Sequence, residues 1–128
     1  MLTTLNDALS IGMLCKDRDS RILGCNQKFA EDFGVANPAD MIGQTKFYRY
    51  PKAQAEAYRA DDLEVINTGL SRLGIEEALL LASGETAWIE TNKAPLRDSS
   101  GEIVGLLATY RDVTERRKAS DERVRMAL

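Results

Sequence analysis

Between Gly101 and Ala119 the chain reads GEIVGLLATYRDVTERRKA, and its hydrophobic period changes in the middle of that run. Ile103, Val104, Leu106, Leu107 and Tyr110 form a β-branched, apolar and aromatic cluster too short for a buried helix, opened by the turn sequence Asp98-Ser99-Ser100-Gly101. The apolar residues then stop. Asp112 is suited to accept the free backbone N–H groups of a new helix, and Glu115 follows at the spacing of a capping box. A strand ending near Tyr110 is therefore expected to run into a helix beginning at Thr114 with no flexible linker, so that a force on the strand is carried into the helix.

At 128 residues the chain has the length of one domain, for which about 100 to 200 residues is usual, and it can bury a real core. Its 17 basic and 20 acidic residues give a net charge of −3 with no basic face, which argues against nucleic-acid binding. No apolar run is long enough to span a bilayer and no secretory signal is recognisable, so Cys15 and Cys25 are expected to be reduced thiols in a cytoplasmic protein. The complete absence of histidine excludes a His-based triad, a His-containing zinc site, a phosphoacceptor histidine and a histidine-ligated haem within this chain. No paired carboxylates, activated nucleophile or Gly-rich phosphate loop is present, and the chain is expected to be non-catalytic.

Leu2, Leu5, Ala8 and Leu9 have helical spacing over a stretch too short to stand alone, so residues 1–10 are expected to form a cap helix on the sheet or on a second copy. Ile11 to Lys16 and Ile22 to Cys25 flank the polar turn Asp17-Arg18-Asp19-Ser20 and predict a hairpin. In a simple register Cys15 faces Ile22 and Gly12 faces Cys25; a disulfide is not expected, and both cysteines read as buried small hydrophobes. Asn26 is a good N-cap for a helix over Gln27 to Phe33, with Phe29 and Phe33 on one face and Gly34 as the stop. Asn37 to Asp40 marks a turn into a short helical piece, and Phe47 to Pro51 is an aromatic loop that closes a core. Lys52 to Thr68 is the longest helix, stopped by Gly69, with Ala55, Tyr58, Leu63, Val65, Ile66 and Leu70 on one arc. Arg59 and Asp62 fall inside that apolar arc. They either pair with each other at its edge or serve a site beneath it.

The segment Arg111-Asp112-Val113-Thr114-Glu115-Arg116-Arg117-Lys118, preceded by Gly101-Glu102-Ile103-Val104-Gly105, resembles the end of a PAS domain, the sensory box of bacterial signalling proteins. Upstream, Asn26-Gln27-Lys28-Phe29-Ala30-Glu31-Asp32-Phe33-Gly34 resembles the Asn-x-x-Phe step of the same family. The resemblance implies an α+β fold: a five-stranded antiparallel sheet with helices on one face, residues 11–113 as the core, a cap helix over 1–10 and an exit helix over 114–128. It resolves Leu73 to Ala82 as a strand, where Glu76 to Ala82 has helix-forming composition but Leu73, Ile75, Leu79 and Leu81 alternate. Thr86 to Leu96 follows as a strand with Ala87, Ile89 and Thr91 on one face and Trp88, Glu90 and Asn92 on the other.

What the resemblance implies about function is signal input. The family encloses a cavity between its long helix and the sheet, which makes Tyr58, Arg59, Asp62, Ile66, Ile89 and Thr91 candidate ligand-binding residues, with Arg59 holding a small anion such as a carboxylate. Asp112 and Thr114 match the triplet that relays a signal into the exit helix. Flavin photochemistry through a cysteinyl adduct is not expected, because Cys25 precedes Asn26 at a strand end and the later helix reads Gly43-Gln44-Thr45-Lys46. Leu2, Leu5, Leu9 and Trp88 are the candidate homodimer interface. The exit helix carries the opposite-charge pairs Arg117/Asp121, Lys118/Glu122 and Asp121/Arg125. Its Val124-Arg125-Met126-Ala127-Leu128 ending resembles the connector to a GGDEF diguanylate cyclase, with a histidine kinase as the other effector considered and a ligand-free dimerisation module as the alternative function.

Overall fold

A computed structural model describes residues 10–45 and 52–127 of the chain. The expected cap helix and the aromatic loop 47–51 lie outside the described residues. The first hairpin pairs β1 (Ile11–Asp17) with β2 (Ile22–Cys25). Two helices follow, α1 (Gln27–Asp32) and α2 (Lys52–Thr68), with a 3-10 turn at Pro38–Met41 between them. The chain then runs through β3 (Arg72–Leu80), β4 (Thr86–Arg97) and β5 (Ile103–Asp112) into the exit helix α3 (Thr114–Ala127). The five strands form one antiparallel sheet in the order β2-β1-β5-β4-β3. β5 therefore sits at the centre, and it is the strand that leaves into α3.

The first turn is held by Asp17, whose Oδ1 accepts the N–H groups of Asp19 and Arg21, each at 2.9 Å. Its register differs from the simple one: Cys15 lies opposite Gly24, Leu14 opposite Cys25 and Lys16 opposite Ile22, with a bulge between Cys15 and Lys16. Ser20 takes a left-handed φ of 65° within this turn, and the bulge, which skips Leu23, shifts the pairing further. Both cysteines are half-buried rather than buried, and burial pushes the Cys15 thiol up.

Asn26 ties β1 to α1. Its Oδ1 accepts from the N–H groups of Met13 and Phe29, each at 3.1 Å, and its Nδ2 donates to the Ile11 carbonyl at 2.6 Å. The local propensity of Glu76 to Ala82 for helix is overridden by tertiary pairing: β3 is matched residue by residue to β4 from Ile75↔Thr91 to Leu80↔Thr86. The core lies between α1, α2 and the sheet face bearing Leu14, Leu106, Ala108, Tyr110, Ala87 and Ile89. From the helices it receives Phe29, Phe33, Ala55 and Ile66, and the Phe29 and Phe33 rings meet at 4.8 Å. Leu70, expected on the buried arc of α2, is 69% exposed because the helix ends at Thr68 and Gly69 turns the chain out of it with φ 70°.

Candidate functional site

A cavity of about 60 Å³ lies between α2, α1 and the inner face of the sheet. Lys16 and Lys93 make one end polar, with Leu14 level with Lys93 across Ala108, while Leu79 and Ile89, with Glu77 opposite Ile89, wall the other, and Phe29 and Phe33 add apolar wall from the α1 side. Strand alternation explains the lining: Ile89, Thr91 and Lys93 are successive inward positions of β4, and Leu14 and Lys16 are inward positions of β1.

The polar end is organised around Asp62 of α2, which is 0% exposed. Lys16 donates to its Oδ2 at 2.8 Å and Lys93 to its Oδ1 at 2.9 Å, so one carboxylate gathers cations from two non-adjacent strands. Burial pushes the Asp62 carboxyl up, but the two ammonium charges and their hydrogen bonds outweigh it and hold the group below its ordinary value. Lys16 is pulled the other way: burial lowers it, and Asp62 offsets only part of that. The Ser20 hydroxyl donates to Asp62 Oδ2 at 3.3 Å and accepts from Arg59. Beside the cluster, Thr91 Oγ1 donates to Glu77 at 2.9 Å and the Tyr58 hydroxyl donates to the Ala78 carbonyl at 2.8 Å.

Of the residues expected to meet a ligand, Tyr58, Ile89 and Thr91 line the cavity. Asp62 stands behind its lysines, and Ile66 is packed into the core instead of lining the cavity. Arg59 neither lines the cavity nor pairs directly with Asp62; it reaches the cluster only through Ser20. The cations at the cavity are Lys16 and Lys93, which sequence reasoning missed. The signal was present, since the alternation that put Ala87, Ile89 and Thr91 inward also puts Lys93 inward.

The joint to α3 is built on the opposite face of β4. The Val113 N–H donates to the Trp88 carbonyl at 2.7 Å, the Trp88 N–H to Thr114 Oγ1 at 2.9 Å, and the Thr114 N–H to Asp112 Oδ1 at 2.8 Å. Asp112 thus caps the helix by an Asx turn to Thr114. The expected return bond from Glu115 does not form: that side chain is 92% exposed and pairs with Lys118 at 3.8 Å. The Arg117 guanidinium lies 3.7 Å above the Trp88 ring. Arg116 reaches Glu90 at 3.2 Å, and Arg116 and Arg117 each approach Glu76 at 3.8 Å. Hydrogen bonds from Arg111 and Arg116 hold the Glu90 carboxyl below its ordinary value. The expected i,i+4 pairs within α3 do not form: Arg117 turns to Glu76 on the sheet, while Lys118 and Arg125 pair three residues back within the helix, with Glu115 at 3.8 Å and Glu122 at 2.6 Å. Among the described residues no group of three or more His, Cys, Asp or Glu is placed to hold a metal ion, and no helix is long and apolar enough to cross a membrane.

The sheet order, the helix-covered cavity and the strand-to-helix exit define a sensory-type PAS fold. The family model described as PAS fold matches residues 7–118, and the chain belongs to that family. It is 34% identical over 116 residues to y4lL, an uncharacterized protein of Sinorhizobium fredii, a match that covers 88% of this chain and 14% of that one. Among solved structures it is similar to the VqmA dimer of Vibrio cholerae, described among LuxR-type receptors, with TM-score 0.77 and 29% identity over 90% of this chain and 51% of that one. VqmA bound to DPO matches with TM-score 0.75 and 29% identity over 87% of this chain and 56% of that one. The PAS domain of Bordetella pertussis BvgS shares the fold, with TM-score 0.71 at 23% identity over 99% of this chain and 96% of that one.

Proposed function

We propose that this chain is a non-catalytic sensory input and dimerisation module of a larger cytoplasmic signalling protein. It takes a small molecule in the cavity and relays occupancy through the sheet into α3. The observation that carries this reading is the double use of β4: Ile89, Thr91 and Lys93 face the cavity, while Trp88 and Glu90 hold the first turn of α3. A ligand acts on such a joint only as far as it binds one of two geometries better. Asp112 and Thr114 are the relay residues, since their bonds couple the end of β5 to both β4 and α3. VqmA, with a similar domain, has been solved bound to a small molecule, DPO, which supports a small ligand here. A cavity of about 60 Å³ also disfavours haem and flavin as occupants.

Dimerisation is assigned to Leu2, Leu5 and Leu9, with Trp88 already engaged by Arg117. Two effectors are supported by different observations. The Val124 to Leu128 ending favours a GGDEF diguanylate cyclase over the histidine kinase, and the similarity to a LuxR-type receptor favours a DNA-binding output. The parent reading frame past Leu128 decides between them. Native mass spectrometry of the chain purified from its producing host tests the sensory reading. A retained mass increment, with slower amide exchange over Val113 to Lys118 than in ligand-stripped protein, is the expected result. No increment, and no exchange change with any small molecule tried, leaves a ligand-free dimerisation module.

A further inference from the structure

We propose that the polar end of the cavity is a carboxylate site, and that the occupant is a short monocarboxylic acid of two to four carbons whose carboxylate lies on Lys93 and Lys16. This rests on the reading of the cavity as the sensory site and names the chemistry it selects.

The argument is one of donors, charge and room. An ammonium group has three N–H donors. Lys16 and Lys93 each give one to Asp62, and the Lys93 ammonium also stands 6.0 Å from the centre of the Tyr58 ring; among the described residues the remaining donors meet no oxygen or nitrogen acceptor, although the two side chains are only 8% and 6% exposed. Buried donors of this kind are costly to leave unmade. Asp62 is already used on both oxygens, by Lys93 on one and by Lys16 and Ser20 on the other. Two buried cations therefore share one anion. Glu77, the other carboxylate on the cavity wall, accepts from the neutral Thr91 hydroxyl, which does not cancel its charge, so that with Arg59, linked through Ser20, three cations stand against two carboxylates. A ligand carboxylate supplies the missing negative charge together with acceptor lone pairs in a group the size of the gap.

The remainder of the cavity limits what the carboxylate can be attached to. Phe29, Phe33, Leu79 and Ile89 suit an alkyl group, and Glu77, opposite Ile89, disfavours a second negative charge there. A volume of about 60 Å³ is room for roughly four to six water-sized groups, since one such group needs about 10–15 Å³. Acetate, propionate and lactate fall in that range, whereas a dicarboxylate or a nucleotide does not.

The test is calorimetric titration of the chain with sodium acetate, propionate, butyrate and lactate at fixed ionic strength, beside acetamide and propionamide as neutral isosteres. Acids binding at least about tenfold more tightly than their amides is the expected result, the size of one charge-assisted hydrogen bond. Lys93→Met leaves Asp62 paired with Lys16 one to one and is expected to abolish the preference for acids. Lys93→Gln serves the same purpose should the methionine variant not fold. Equal binding of acids and amides, survival of the acid preference in either variant, or no binding of any acid at millimolar concentration overturns the proposal. Amide exchange over Val113 to Lys118 separates the two levels of inference. Acids that bind without altering exchange would uphold the carboxylate site and remove the relay. A neutral molecule that alters exchange where acids do not bind would uphold the relay and remove the carboxylate site.

Discussion

The ring of Tyr110 lies across Gly12, its register partner on β1, so closely that a β-carbon at Gly12 would sit 2.1 Å from Tyr110 Cζ. The same ring meets Phe29 edge-on at 6.4 Å, and its hydroxyl donates to Asp32 Oδ2 at 2.7 Å. Gly12→Ala should therefore force the tyrosine off α1 and cost about 1–3 kcal/mol in denaturant unfolding, as overpacked cores do. Tyr110→Phe keeps the ring and loses the hydroxyl's bond to the Asp32 carboxylate, a cost of about 1.5–3 kcal/mol. Equal stability of Gly12→Ala and wild type would show that the ring is free to move.

Asp62 is the anion on which two strands converge, and its removal strands two buried cations. Asp62→Ala should cost about 3–5 kcal/mol, whereas replacing Lys16, Asp62 and Lys93 together by methionine, leucine and methionine should recover most of that loss. A single variant as stable as wild type in urea unfolding would contradict the burial of the cluster.

Asp62 and Glu90 both contribute to the acid limb of the stability profile. Both are held below their ordinary values in the folded chain, so the unfolded chain binds more protons in acid. Their contribution is complete above the unfolded value of about 4 and is lost as pH falls through the folded ones. Lys16, Lys93 and the linked Arg59 face Asp62, and Arg111 and Arg116 face Glu90. In Asp62→Asn the acid limb of a midpoint-against-pH curve should flatten; an unchanged limb would assign it to other carboxylates.

Arg117 and Trp88 form a cation–π contact at the start of α3. Arg117→Ala should accelerate amide exchange over residues 113–118 while lowering global stability by no more than about 1 kcal/mol. Added salt should act in the same direction through the Arg116–Glu90 pair, which is exposed on the arginine side. Exchange unchanged in both experiments would mean that the backbone bonds of Val113 and Thr114 hold the joint alone.

The proposed dimer interface at Leu2, Leu5 and Leu9 is tested by truncation. Without Met1 to Leu9 the chain should sediment as a monomer at micromolar concentration, and a persisting dimer would move the interface elsewhere.

The fold was legible because its signals are local. The turn at Asp98, the cap at Asn26 and the change of period at Asp112 each lie within a few residues of the element they punctuate. The site was legible only by halves. Helical spacing placed Tyr58 and Asp62 on the inner arc, and strand alternation placed Ile89 and Thr91 beside them. The ionic partner of Asp62 was misread, because Arg59 is three residues away in sequence whereas Lys16 and Lys93 come from strands separated by β5. Pairing across a sheet depends on register, and the bulge at Cys15/Lys16 moved β2 from its simple alignment. The pairing of Arg117 in α3 went astray for the same reason, since its partner Glu76 stands on β3.

The alternation of β4 bears on how this strand can change over generations. Positions 89, 91 and 93 and positions 88 and 90 are neighbours in the chain but look out on different surroundings, so each set can be exchanged by point substitution with little consequence for the other. Insertion or deletion of one residue is another matter. It would turn every side chain beyond it to the wrong side of the sheet, carrying a lysine towards the arginines and an acid into the core. Variation along this strand should therefore be rich in substitutions and almost devoid of length changes.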